Sequence, residues 1–590
     1  MARHRGSGGT RGVSTGIIVS LVAVALLVLG IIGWLQLRNR IDEQATEAAR
    51  TCVEGDVELR IAADPLIAPT LSDLADTWNA DVAPVIRDYC VTAHVAATES
   101  TTAAATLADG TWNPELGPEP ALWVPIDTRA ADRAGSSASG QRRSLATSPL
   151  VLATPTALNN GLTTAGVDWR DLPSLQSVPG SLSALGLAPW ESLRMALPTG
   201  TDSDATTSAL EAVATTGTGP LTRDEAQSPD VVTAITELAL GADALDIAAG
   251  PSTADALTAL ATNTAPDSPI HAVPAVEKQL HDAVTNGTAA DLAGFRPAGA
   301  TPIADFPAVI PSAPWIDETL SRAAGEFIDY VRNPDQAQDF LDAGFRNHDG
   351  DSPVRSDFSF APVVEVLTPA DPSAGDALLD IRLDPQPPVK TTVLVDTTTS
   401  MATTAENGNT RLDDTATAIE NVLRRSPNSS IIGIHVFDDT SSSRVAVARD
   451  ALTGEQRAAL NSALDAVTPT ETAPVYESIL AAYADAVDNY DPSRPNSVLV
   501  ILDSDDESLD GNETNTDVDS GTGTGDELLD GISELTDSAS PVRVDIVVLG
   551  DDVTDPETLQ DLTARTGGSY STLATTANDD LTALLRKLTS

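Results

Sequence analysis

Short aliphatic and β-branched runs alternate along most of the chain with stretches rich in alanine and leucine. Between Cys52 and about Arg346, runs such as VELRIAA and VTAHVAA precede helical stretches such as LSDLADTW and TTAAATLA. From Thr391 the alternation restarts with TTVLVD, IIGIHVF, SVLVILD and VRVDIVVLG. Nearly continuous apolar strands between helical segments are typical of parallel sheets covered on both faces. The pattern therefore predicts two α/β regions, residues 52–347 and 391–590.

Residues 348–390 lie between these regions and are rich in proline, aspartate and serine. Two apolar runs within this segment, PVVEVL and ALLDIRL, have the composition of short strands. We therefore expect a connector with some strand content.

An uncharged apolar run extends from Gly16 to Leu35. Its length of about 20 residues is sufficient for a helix to cross a hydrocarbon core. It predicts a transmembrane signal-anchor helix over residues 16–36, with residues 1–15 in the cytoplasm. The alternative is a cleavable signal peptide, whose apolar region is normally shorter. Arginines are nearly balanced on the two sides of the run, so their count does not fix the orientation.

The two cysteines favour one orientation. Cys52 and Cys90 each lie at the start of a predicted strand, and one helical stretch separates the two strands. Adjacent parallel strands would bring the thiols to matching ends, where a disulfide can close. Two buried free thiols are the alternative. A disulfide would place the bulk of the chain outside the cytoplasm, and we expect a single-pass protein of the cell membrane.

The composition excludes several functions. The chain has 34 Lys+Arg against 86 Asp+Glu, a formal net charge of −52 that repels nucleic acid. A hydrophobic fraction of 41% supports packed cores. The sequence has six histidines and contains no nucleophile elbow, no HExxH and no phosphate-binding loop. We therefore expect no enzyme activity.

The run VLVDTTTSM, from Val393 to Met401, resembles the opening of a von Willebrand factor type A domain. Further segments resemble that family's first helix, second strand, threonine loop and second aspartate strand: RLDDTATAIENVL, IIGIHVFDD, TAPVYESI and SVLVILDSDD. The resemblance covers residues 391–590 and implies a doubly wound, Rossmann-like sheet with a metal site at its carboxyl edge.

In that family the site (a MIDAS-like site) holds Mg²⁺ or Mn²⁺ and leaves one position open for a carboxylate of a partner protein. Carried over by position, the implied ligands are Asp396, Thr398, Ser400, Thr472 and Asp503. Carboxylates with neutral hydroxyls suit a hard cation and leave it a net positive charge. This sequence departs from the pattern at two ligands: Thr398 replaces a serine, and Thr472 lies one residue early. An intact fold that has lost its metal is therefore the alternative.

The segment 503–527 is strongly acidic. From Asp506 its order imitates a calcium loop, but Glu513 stands where that loop needs an apolar residue. We expect a solvated acidic insertion rather than a Ca²⁺ site.

The first region resembles a two-lobed, periplasmic-type solute-binding protein in RIAADPLIAPTLSDLADTWN, ALWVPIDT and AAGEFIDYVRNPDQAQDFLDAGFR. The resemblance implies a second lobe at about residues 150–300 and a small-molecule site between the lobes. Ser100, Thr101 and Thr102 follow a strand and open a helix, so they are candidate ligand contacts. Helix capping alone also explains them.

The combination behind a membrane anchor resembles uncharacterised envelope proteins of actinobacteria. We expect an extracytoplasmic binding or adhesion protein whose type A domain engages a partner protein through a metal. A solute sensor, in which a small molecule bound by the two lobes controls the type A domain, is the alternative. A structural envelope protein with vestigial sites is the third possibility.

Overall fold

The computed structural model describes residues 52–589, and isolated positions between 26 and 38, apart from 83, 201, 217–218, 246–251, 290, 354–361, 406, 439–440, 470–473, 505–523, 551–554 and 575–577. Most of the predicted membrane span, residues 16–36, lies outside the described residues. Among the helices that are described, none has the length and apolarity needed to cross a membrane. The chain divides into two compact units, Met1–Thr147 with Asp305–Ser352, and Ser148–Ala304 with Pro353–Ser590.

The first unit is built on a four-stranded sheet of order β2-β3-β1-β4. Its strands are β1 Gly55–Ala63, β2 Val85–Ile86, β3 Tyr89–Ala97 and β4 Leu122–Val124. β1 is parallel to β3 and β4, and β2 is antiparallel to β3. Its helices are α1 Ala68–Thr77, α2 Ser100–Ala108, α3 Thr128–Arg133, and, later in the chain, Glu318–Val331 and Ala337–Asp342. Short strands pair within the same unit: β5 Arg143–Ser144 with Pro307–Ala308, and Ala146 and Thr147 with Arg346–Asn347.

The second unit begins with the long strand β6, Ala146–Pro155, from its third residue onward. β6 pairs antiparallel with β7 Val273–Val276, β8 Leu292–Phe295 and β9 Ile303–Ala304. The helices here are α4 Thr156–Ala165, α5 Leu172–Ser177, α6 Ser181–Ala184, α7 Asp204–Ala214, α8 Arg223–Ala226, α9 Pro229–Asp243, α10 Thr253–Thr262 and α11 Glu277–Thr285.

The connector differs from the expectation in one respect. ALLDIRL is not a strand but the second half of a helix, Pro372–Leu383. Asp371 caps this helix by accepting a hydrogen bond from the Ser373 backbone N–H at 2.8 Å, and Pro372 opens it. Leu378 is buried in the core of the second unit. Capping and burial on one helical face therefore outweigh the strand-like composition. PVVEVL forms only an isolated bridge, from Val366 to Thr301.

The same unit continues into a six-stranded sheet, all parallel except its first edge strand. In spatial order the strands are Ser441–Ala451, Ile431–Asp438, Lys390–Val395, Asn496–Asp503, Val542–Leu549 and Tyr570–Leu573. The flanking helices are Arg411–Arg425, Gly454–Asp465, Val475–Asp488, Gly525–Leu535, Pro556–Thr566 and Asn578–Leu588. We call this part, residues 390–589, the type A-like module.

Alternation along the central strands explains why helices cover both faces of this sheet. Leu394 and Val500 join the core formed with helices Val475–Asp488, Gly525–Leu535 and Pro556–Thr566. Val393 and Ile501 join the opposite core, formed with helices Arg411–Arg425, Gly454–Asp465 and Asn578–Leu588. Successive strand residues point to opposite faces, so a fully apolar strand needs a helical layer on each side. This is the doubly wound architecture predicted for the region.

Candidate functional site

The two central strands of the type A-like module end in aspartates. Strand Lys390–Val395 is followed by Asp396, and its neighbour Asn496–Asp503 ends in Asp503. Strand order reverses between these two strands, which is where ligands bind in doubly wound sheets. Both aspartates are completely buried, at 0% exposure. Asp396 Oδ2 accepts a hydrogen bond from the Asp503 backbone N–H at 3.0 Å.

The turn after Asp396 holds two hydroxyls beside it. The Thr398 backbone N–H donates to Asp396 Oδ1 at 2.7 Å. Thr398 Oγ1 lies 2.8 Å from Ser400 Oγ, at the start of a short 3₁₀ turn, Thr399–Ala402. Thr398 is buried, and Ser400 is partly exposed. The structure thus brings together Asp396, Thr398 and Ser400, with Asp503 on the neighbouring strand.

Arg411 is a member of this site that the sequence analysis did not single out. It is the first residue of helix Arg411–Arg425, and its Nη1 donates to Asp503 Oδ1. The side chains of this ion pair are 18% and 0% exposed. The sequence placed Arg411 only at the start of the expected first helix, because its contact with Asp503 joins positions that are far apart in the chain. A resident guanidinium therefore already provides positive charge at the second aspartate.

Two predicted elements cannot be placed. Thr472 lies outside the described residues, as does most of the acidic segment, residues 505–523. The helix that follows Thr472 is described: it begins at Val475, and its Tyr476 hydroxyl donates to Asp555 Oδ2 at 2.6 Å.

The donor set fits a hard divalent cation in its chemistry. Two carboxylates and two hydroxyls supply only oxygen ligands, which Mg²⁺ and Mn²⁺ prefer. Backbone N–H groups orient the Asp396 carboxylate, with one donor on each oxygen. The Arg411 guanidinium opposes a cation, because like charges repel and it donates to one oxygen of Asp503.

In the first unit, Ser100 joins three elements at the carboxyl edge of the sheet. Its hydroxyl donates to Asp64 Oδ2 at 2.6 Å and accepts from the Ile126 backbone N–H at 2.9 Å. Ser100 is 1% exposed. Thr101 and Thr102 are exposed in the first turn of α2. The two threonines are accessible to a solute, whereas both hydrogen-bonding roles of the Ser100 hydroxyl are used internally.

This edge of the first unit is rich in acids. Asp127 caps α3 and pairs with Arg129 at 3.0 Å, with both residues buried. Asp305 accepts from the Thr128 backbone N–H at 2.7 Å and from its hydroxyl at 2.6 Å. Burial, followed by the negative charge of Asp127, raises the pKa of Asp305. With Asp64 also buried here, the edge is unfavourable for an anion.

Cys52 and Cys90 form a disulfide with a Cα–Cα distance of 5.2 Å. Cys90 lies in β3 opposite Asp56 of β1, and Cys52 precedes β1. The bond ties the start of the sheet to its neighbouring strand.

Known proteins match both halves. The family described as "Bacterial extracellular solute-binding protein" matches residues 59–346. An uncharacterized protein of Mycobacterium tuberculosis, from strains CDC 1551 and H37Rv, is 34% identical over 604 residues. The alignment covers 98% of this chain and 84% of the mycobacterial one.

Solved structures similar to this chain include a von Willebrand factor type A protein from Catenulispora acidiphila. The two chains are 15% identical with a TM-score of 0.27, and the match covers 34% of this chain and 43% of that one. The Bordetella ferric binding protein has 12% identity and a TM-score of 0.38, covering 56% of this chain and 100% of that one.

The expected resemblance to solute-binding proteins is confirmed by the family match over residues 59–346. The type A-like module has the doubly wound sheet that the sequence predicted for residues 391–590. The chain belongs to the same family as the mycobacterial protein, which it matches over nearly its whole length.

Proposed function

We propose that this protein is a membrane-anchored, extracytoplasmic binding protein whose type A-like module engages a partner protein through a divalent cation. The observation that supports the proposal is the meeting of Asp396, Thr398 and Ser400 beside Asp503 at the strand-order reversal. The apolar run at residues 16–36 would be the anchor, and the disulfide is consistent with an oxidising compartment.

The chain's own residues would hold the ion by charge and by neutral oxygen. Asp396 is fixed by two backbone N–H donors, so its carboxylate is oriented before a ligand arrives. Thr398 and Ser400 add neutral hydroxyls, which would leave the ion with positive charge for a carboxylate of the partner. Bound Mg²⁺ or Mn²⁺ would supply that charge, and Arg411 would have to share Asp503 with it. Such a site holds a partner and requires no catalysis.

A peptide array tests this function. The purified full chain is applied to random peptides, each aspartate- or glutamate-containing peptide being printed beside its asparagine or glutamine version. We expect binding in Mg²⁺ that favours the acidic member of each pair and disappears in EDTA. Equal binding of the amide versions, or binding that survives EDTA, would refute engagement of a carboxylate through a metal.

Two variants complete this test. Asp396→Asn keeps the size of the side chain and removes its charge, and we expect it to abolish the Mg²⁺-dependent signal. Asp545→Asn is the matched control: Asp545 is also buried in this sheet and accepts the Ser569 backbone N–H at 2.9 Å, but it lies within its strand, away from the carboxyl edge. Asp545→Asn should bind the array as wild type does.

A solute sensor is the second candidate, favoured by the family match over residues 59–346. The acids Asp64, Asp127 and Asp305 at the edge of the first unit favour a neutral or cationic solute over an anion. A thermal-shift screen of polyols, sugars, amines and carboxylates on the full chain tests this. Stabilisation by a polyol, a sugar or an amine would support the sensor. Thr101→Val should weaken this stabilisation, and Thr106→Val in the same helix should leave it unchanged. Stabilisation by carboxylates alone would contradict it.

A further inference from the structure

A second candidate site lies in the second unit, where its first part meets the type A-like module. A cleft of about 360 Å³ is lined by four arginines. Arg223 belongs to α8, Arg424 and Arg425 end helix Arg411–Arg425, and Arg586 lies in the last helix, Asn578–Leu588. Gln227 and Asn421 add neutral polar groups, and Asp579 is the acidic residue of the lining.

The two walls of the cleft are held together by hydrogen bonds. Asn428, shortly after the end of helix Arg411–Arg425, donates its side-chain amide to Asp230 Oδ1 at 2.7 Å. Its backbone N–H donates to Thr233 Oγ1 at 2.8 Å. Asp230 and Thr233 lie in α9, which follows directly after the segment with Arg223 and Gln227. The arginines of the two walls therefore lie on either side of a contact that these hydrogen bonds hold in place.

Such a concentration of positive charge is unexpected in a chain with a net charge of −52. Only part of it is neutralised within the protein, where Arg586 pairs with Asp384 at 3.0 Å. Arg424 donates to Asn421 Oδ1 at 3.0 Å, but this amide is neutral and leaves the arginine charge uncompensated. Within the described residues, the guanidinium groups of Arg223 and Arg425 have no ion pair. Burial lowers the pKa of Arg425, and the charges of Arg586, Arg223 and Arg424 add to that effect, against the opposing charge of Asp380.

We propose that this cleft binds a small anion with several phosphate groups. The planar guanidinium presents paired N–H donors that match phosphate oxygens, and arginine remains charged when partly buried. A volume of about 360 Å³ falls within the usual range for small-molecule sites. Four arginines provide more donors than one phosphate can accept, so we expect a ligand that offers several phosphate groups.

The position of the site has a consequence for the molecule. A ligand held by Arg223 on one wall and by Arg425 and Arg586 on the other would contact both parts of the second unit. Its negative charge would offset the repulsion among the arginines and so stabilise the contact between the two parts. This role is independent of the metal site at Asp396.

Calorimetric titration of inorganic tripolyphosphate into the purified full chain tests the proposal, in EDTA and physiological salt so that no divalent cation takes part. We expect one saturable site per chain and a raised melting temperature. Arg425→Gln should weaken binding at least tenfold, and Arg223→Gln, an exposed position that is safe for folding, several-fold. Arg565→Gln is the matched control. Arg565 is an exposed arginine of the type A-like module, and it pairs with Asp561 outside the cleft.

Parallel titrations with ATP and with sulfate define the ligand. If ATP binds as tightly as tripolyphosphate, the ligand is a nucleotide. If ATP binds more weakly, the ligand is an inorganic polyphosphate. Either result supports the site. Absence of saturable binding, equal affinity for sulfate, or equal affinities for Arg223→Gln and Arg565→Gln would overturn it.

Discussion

Asp396 accepts a hydrogen bond from the backbone N–H of Asp503, so the first aspartate of the site is fixed by the strand that ends in the second. The bond is 3.0 Å long and fully buried. Because Asp396 Oδ1 also accepts the Thr398 backbone N–H, two backbone donors fix the orientation of this carboxylate under the turn that holds Thr398. The carboxylate is therefore oriented before any ligand binds, as the proposed cation site requires.

Arg411→Gln is expected to make stability depend on metal. Removing the guanidinium leaves Asp503 charged and buried beside Asp396, which typically costs about 3–5 kcal/mol. In EDTA the melting temperature should fall, and Mg²⁺ should restore it by more than it raises that of wild type, because the ion replaces the missing charge. Differential scanning fluorimetry with and without Mg²⁺ measures this.

Arg449→Gln is the control for that experiment. Arg449, whose side chain is 10% exposed, forms an ion pair with Asp485, which is 45% exposed, in the same module and away from the strand-order reversal. Its loss should lower the melting temperature equally with and without Mg²⁺. Rescue of both variants by Mg²⁺, or of neither, would contradict a metal at Asp503.

Much of this fold could be predicted from the sequence because its interior strands are long and mostly apolar. SVLVILD and VRVDIVVLG both form interior strands of the doubly wound sheet. The antiparallel edge strand Ser441–Ala451 was not predicted, since its residues are mostly polar or small and it is recruited by pairing with Ile431–Asp438. ALLDIRL was assigned wrongly because a cap and a buried face, neither visible in its composition, decide its structure.

Some residues of the candidate sites could likewise be predicted from the local sequence, and others could not. Asp396, Thr398 and Ser400 are neighbours in sequence, and a strand followed by a turn is enough to bring them together. Arg411 and the arginine cleft depend on contacts between distant segments, which no local pattern encodes. Ser100 was a natural candidate from its place after a strand, but its hydroxyl serves Asp64 and Ile126.

Ser100→Ala should destabilise the first unit. The substitution leaves Asp64 and the Ile126 N–H with one fewer partner in a buried setting, a loss of about 1–3 kcal/mol. Chemical denaturation followed by tryptophan fluorescence measures this, with the exposed Thr102→Ala as a control that should change little. An unchanged stability in Ser100→Ala would show that the serine is not a structural link.

Reduction of the Cys52–Cys90 disulfide should also destabilise the first unit. The bond closes a loop with a sequence separation of 38, which contributes roughly 4 kcal/mol in the chain-entropy model. Thermal unfolding in dithiothreitol should therefore begin at lower temperature than under oxidising conditions. A Cys52→Ser, Cys90→Ser double variant should unfold at that lower temperature in both conditions; a shift caused by dithiothreitol in this variant would mean that the reagent acts elsewhere.

His271 should make the second unit sensitive to acid. It is fully buried, and burial, with the nearby Arg194 charge, lowers its pKa from 6.5 to about 4. The unfolded chain binds the proton more readily, so this contribution to stability is complete above pH 6.5 and is lost as the pH falls toward 4. His271→Gln should lack this component, and its melting temperature should fall less than that of wild type over the same range. Parallel curves for the two proteins would contradict it.

Calorimetric titration of Mg²⁺ and of Mn²⁺ into the metal-free full chain tests the metal site most directly. We predict one saturable site per chain in the sub-millimolar to millimolar range, absent from Asp396→Asn and retained by Asp545→Asn. Flat heats in the wild-type protein, or equal binding by Asp396→Asn, would contradict the account and leave Arg411 as the permanent cation of the site.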